Sequence, residues 1–91
     1  MEDNWDGIEK SLKQLLGMVK KNLSASEQRE VADFISQNEF DAAMEALVDI
    51  LVDKHEPLSK QALDAARKLA NALELPGELA RINKNLAGKS A

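Results

Sequence analysis

The side chains in this sequence with the most chemistry to offer are carboxylates, and four of them recur at a spacing of four: Asp41, Glu45, Asp49 and Asp53. On a helix of about 3.6 residues per turn, that spacing lines them along one face. Paired carboxylates can do general acid–base work, but only where an apolar pocket raises one pKa, and an outward ridge has no such pocket. Calcium binding is disfavoured too, because 41–53 reads as continuous helix without the central glycine of a calcium loop. What such a ridge can do is attract positive charge.

Other routes to catalysis are thin. His55 is the only histidine and there is no cysteine, so nucleophile–base arrangements built on either type are absent or rest on one residue. His55 precedes Glu56 near the end of the same helix, where a histidine is favoured by the helix dipole; its functional alternative is a contact with a partner. Gly7, Gly17, Gly77 and Gly88 are scattered and form no phosphate-cradling loop. The residues therefore point to no catalytic, cofactor-binding or metal-ligating set, and to a protein that is not an enzyme.

The charge is unevenly placed. Residues 1–23 are neutral, residues 24–56 carry nine acids against Arg29 and Lys54, and residues 57–91 carry a small basic excess, within a net charge of −4. Between the ridge acids lie Val48 and Val52, expected at the margin of the buried stripe or outside it. The bland reading is a solvated helix face. The functional reading is a docking surface for a basic partner, on which charge speeds encounter and the valines fill a desolvated centre. Glu27, Glu30 and Asp33 on the preceding helix could extend it.

The elements that must hold this ridge are helices. Ala, Leu, Glu, Lys and Gln are abundant, and only Trp5, Phe34 and Phe40 are aromatic, so strand is not expected. Trp5, Ile8, Leu12, Leu15, Val19 and Leu23 fall on one face of a first helix over 5–23, weakened near Gly17. Trp5, in phase with Ile8 and Leu12, is expected in the core.

Ser24-Ala25-Ser26-Glu27 reads as a capping box opening a second helix with Val31, Phe34 and Ile35 inward. Asn38 is a candidate cap for a third helix, whose buried face would be Phe40, Ala43, Met44, Leu47, Ile50 and Leu51 and whose end falls near Lys54, before Pro57. Ser59 would cap a fourth helix burying Ala62, Leu63, Ala66, Leu69, Ala70 and Leu73. Pro76 suits the first position of a short fifth helix with Leu79, Ile82 and Leu86. Short connections favour a single all-α domain over 1–91, a compact bundle of about five short amphipathic helices.

The longest apolar stretches, Ala46-Leu47-Val48 and Ile50-Leu51-Val52, fall far short of the roughly 18 residues of a membrane span. The acidic start and the lack of an apolar run after it suggest a cytoplasmic protein with no export signal. Lys60, Arg67, Lys68, Arg81, Lys84 and Lys89 lack interleaved aromatics and read as solubilising charges, so neither nucleic acid nor membrane is an expected partner.

The stretch Asn38-Glu39-Phe40-Asp41-Ala42-Ala43-Met44-Glu45-Ala46-Leu47-Val48-Asp49-Ile50-Leu51-Val52-Asp53, followed by Pro57-Leu58-Ser59 and another amphipathic helix, resembles the MafI-type immunity proteins of contact-dependent inhibition and related bacterial toxin systems. The distinctive parts are Glu-Phe-x-x-Ala, Leu-x-Asp-x-Leu-x-Asp and Pro-Leu-Ser, and the similarity covers about 24–75. Family members often carry an aromatic where this chain has Val52.

The resemblance implies an antitoxin-like role: one-to-one binding of a cognate toxin domain, often a ribonuclease and in some cases of the EndoU type, with its basic active-site cleft covered. The different-class alternative is a helical adaptor or regulatory subunit without a toxin partner, or a bundle that self-associates through the valines.

Overall fold

Helix initiation in this chain is governed by short-range hydrogen bonds, as the computed structural model, which describes residues 5–55 and 58–87, makes plain. The Ser24 hydroxyl accepts from the Glu27 N–H at 3.1 Å, and the Glu27 carboxylate accepts from the Ser24 N–H at 2.8 Å, a reciprocal capping box. It opens α2 (Ala25–Ser36). Ser59 likewise accepts from the Ala62 N–H at 3.1 Å and opens α4 (Lys60–Ala72). Pro76 takes the first position of α5 (Pro76–Arg81), where its missing N–H costs nothing. With α1 (Trp5–Met18) and α3 (Phe40–Lys54), these make an all-α bundle, and no strand occurs among the described residues.

The first helix is shorter than its apolar pattern predicts. α1 stops at Met18, and the chain tightens into a 3₁₀ turn, Lys20–Asn22, before Leu23 goes extended to reach the Ser24 cap. Gln28 stabilises that turn by donating from Nε2 to the carbonyls of Lys20 and Leu23 at 3.3 and 3.2 Å. Val19 and Leu23 remain buried, so the turn keeps the apolar face while redirecting the backbone.

Asn38 does not cap α3. It lies at φ 61°, and its N–H donates to the Ile35 carbonyl while the Glu39 N–H donates to Phe34, at 3.0 and 2.9 Å. That pair of bonds is a Schellman closure of α2, which needs a left-handed residue that asparagine tolerates. The N-cap position of α3 falls to Glu39, without a side-chain cap bond. Glu74 closes α4 in the same way at φ 57°, with Glu74 and Leu75 N–H groups bonded to Asn71 and Ala70.

α2 packs chiefly on α3 and α1 chiefly on α4, while α5 and the π-helical turn after it, Ile82–Leu86, close against α3 and α4. The Leu58 N–H donates to the Leu86 carbonyl at 3.1 Å, tying the segment before α4 to that turn. One continuous core runs through the bundle, including Leu12, Leu15, Ile35, Met44, Leu47 and Ile82. The radius of gyration, 12.2 Å, matches the roughly 12 Å expected for a chain of this length packed as a compact globule.

Three apolar residues sit where their sequence phase does not put them. Val48, expected at the margin of the stripe, is 1% exposed. α3 packs against α2, α1, α5 and the π turn, so it buries a wide arc that takes in both Val48 and Leu51. Trp5, expected in the core, is 52% exposed. As the first residue of α1 it stacks on Phe40, ring centroids 5.7 Å apart. Ile50 is half-buried against the core rather than fully within it.

Candidate docking surface

The buried arc of α3 leaves one narrow outward strip, and the ridge occupies it. Asp41, Glu45, Asp49 and Asp53 are all exposed, one per turn. Among the described residues, Asp41, Glu45 and Asp53 make no ion pair. Glu30 and Asp33 are exposed on α2, the helix packed against α3. His55 follows α3 in left-handed geometry at φ 56°, exposed, its N–H donating to the Val52 carbonyl at 3.1 Å. Glu56 lies outside the described residues, as do Pro57 and residues 88–91.

Of the two valines proposed for contact, neither is an open surface. Val48 is enclosed by the core and cannot touch a partner. Val52 is half-buried and packed against the core, which leaves part of its side chain beside Asp49 and Asp53. The apolar component of the ridge is therefore smaller than the alternation of valines and acids suggests.

The middle of the ridge carries a counter-charge that the helical spacing of the acids does not reveal. Arg81 reaches from the end of α5 to place Nη1 2.5 Å from Asp49 Oδ1 and 3.3 Å from Glu78 Oε1. Burial pushes the Glu78 carboxyl above its ordinary value, and the nearby Glu45 and Asp49 charges push the same way, while Arg81 opposes them. Arg81 is in turn held more firmly protonated, first by its bond to Asp49. The sequence signal for this contact is the opposite sign of the charge excess in residues 24–56 and 57–91, which the packing of α5 against α3 brings together. At the other end of α3, Lys54 Nζ pairs with Glu27 Oε1 across to α2 at 3.1 Å. Glu27 is held below the usual carboxylate range, chiefly by the Ser24 N–H and then by Lys54.

This arrangement has acceptors in a row and no converging nucleophile. Among the described residues, no three histidine or carboxylate groups come together as a metal site requires, and no helix is long and apolar enough to cross a membrane. What the surface can do chemically is accept hydrogen bonds and ion pairs from cations spaced about one helical turn apart, roughly 5–6 Å. No family model matches the chain, and no curated protein or solved structure matches it.

Proposed function

We propose that this chain is a cytoplasmic immunity protein that binds a cognate toxin nuclease domain one to one, setting the acidic face of α3 into the toxin's basic cleft. The observation that carries the reading is the outward row Asp41, Glu45, Asp49 and Asp53, of which only Asp49 has a cationic partner among the described residues. Like charges at this spacing cost a few tenths of a kcal/mol per pair in a helix, and Asp53 additionally faces the unfavourable end of the helix dipole. A basic cleft that binds RNA offsets both costs. The resemblance of residues 24–75 to MafI-type immunity proteins supports the same partner class. An ordinary interface would cover about 800 Å² on each side, enough for α3 with the exposed acids of α2.

The test is co-expression with the toxin domain encoded beside this chain. Protection of the cell and recovery of a stable complex are expected. A companion variant, E45K/D53K, reverses two ridge acids that make no ion pair among the described residues and is expected to slow association and reduce its sensitivity to salt. No protection and no complex would sink the immunity reading. Full protection with unchanged association in E45K/D53K would instead move the contact away from the ridge.

A further inference from the structure

A second surface has a different character. A groove of about 1060 Å³ runs between α1 and α4 and contains both of the large apolar side chains exposed among the described residues, Trp5 at 52% and Met18 at 46%. None of the ridge residues lines it. Gly7, Ser11, Ala65 and Ala72 line it at helical spacings, so the backbone of another helix can approach closely. A Cβ added at Gly7 would meet nothing within 4 Å, which shows how open the floor is at that point.

We infer that this groove is a homodimer interface whose occupant is the same groove of a second copy. The charges on its α4 wall select that occupant, Glu74 lying past the end of α4. In contrast to the ridge, which favours a partner of one sign, the α4 wall sets Asp64 one turn before Lys68. A twofold axis crossing α4 near Ala65 and Ala66 runs the two α4 helices antiparallel. Asp64 then lies opposite Lys68 of the second copy, and Lys68 opposite Asp64 of the second copy.

One patch thus supplies two reciprocal ion pairs, which is the self-complementarity a twofold interface requires. Asp64 is available for this: its nearest cation, Arg67, is 3.9 Å away and is itself bonded to Asn83 at 2.7 Å. Lys68 makes no ion pair among the described residues. The two α1 and two α4 helices then form an intermolecular four-helix bundle that covers Trp5 and Met18.

Sedimentation equilibrium of the full chain over a concentration series tests this. The mass is expected to rise from 10.0 kDa toward twice that value. Gly7→Glu puts its Cβ where nothing lies within 4 Å in the monomer and its charge into the groove, and is expected to keep the mass at that of one chain, with helicity by circular dichroism unchanged. Lys68→Glu is expected to weaken the dimer by about tenfold or more, and D64K/K68E to restore it. A wild-type mass that stays at one chain throughout, as a groove reserved for another protein's helix would give, overturns the inference. So does a dimer indifferent to Gly7→Glu, or a charge swap that fails to recover association.

Discussion

Arg81 and Asp49, 32 positions apart in sequence, are joined by a bond from Nη1 to Oδ1 at 2.5 Å. The contact ties the end of α5 to the middle of α3 and places a positive charge within the acidic ridge. It divides the ridge into an N-terminal pair, Asp41 and Glu45, and a C-terminal acid, Asp53. A basic partner approaching Asp49 must therefore displace Arg81 or bind around it.

Replacing Arg81 with glutamine separates these two effects. Arg81 and Asp49 are both more than one-third exposed, so loss of that pair is expected to cost about 0.5–1 kcal/mol at neutral pH by chemical denaturation, with a further loss from leaving the more buried Glu78 carboxylate without its cation. The freed Asp49 should at the same time raise the association rate of a basic partner by roughly two- to threefold at low salt, with the gain fading as salt increases. Slower association would mean that Arg81 itself touches the partner.

Val48→Ala and Asp53→Asn distinguish core from contact on the same helix. The buried valine is expected to cost about 1–3 kcal/mol of stability while leaving the affinity of the folded protein unchanged. Asp53→Asn should lie within about 0.5 kcal/mol of wild type in stability and weaken binding. Paired denaturation and calorimetric titrations check this, and a loss of affinity in Val48→Ala at full folding would contradict the burial argument.

Two carboxylates give opposite pH dependences. The Glu27 pKa is lowered in the fold from an ordinary value of 4.5, so its stabilisation is fully present above that value and is lost as pH falls through the depressed folded value. Glu27→Gln should lower the melting temperature at neutral pH and converge with wild type in acid. The Glu78 pKa is raised from 4.5, so its contribution is most favourable below that value and declines as pH rises through the folded value. Glu78→Gln should gain on wild type as pH rises across that window. Thermal scans of both variants over a pH series measure the two slopes, and parallel curves for either would refute its assignment.

The left-handed residue that closes α4 offers a stabilising change. Glu74 holds φ 57°, a conformation glycine adopts without a Cβ penalty. Glu74→Gly is expected to add about 0.5–1 kcal/mol and raise the melting temperature by several degrees, with Asn38→Gly smaller because asparagine already tolerates this geometry. An unchanged or lower melting temperature for Glu74→Gly would show that its side chain contributes more than the backbone strain costs.

Local chemistry is legible in the sequence of this chain. Ser24 with Glu27, Ser59 and Pro76 each start a helix through groups within three residues, and the apolar spacing of α3 and α4 fixes which faces turn inward, so the all-α bundle and the outward direction of Asp41, Glu45, Asp49 and Asp53 follow from sequence. Asn38 shows where that reasoning runs short. An asparagine between two helices can start one or close the other, and the choice depends on whether its backbone goes left-handed.

Sequence by itself thus determined the helices, most of their limits and the acidic ridge, because caps and periodicity act over one or two turns. Tertiary structure alone decided how wide an arc of α3 is buried, and with it the enclosure of Val48. It also decided that Trp5 meets one aromatic ring instead of a full core, that Arg81 reaches Asp49, and that α1 and α4 leave a groove between them. Each of these depends on which helix lies beside which, a relation set by the packing of the whole bundle and carried by no single stretch of the chain.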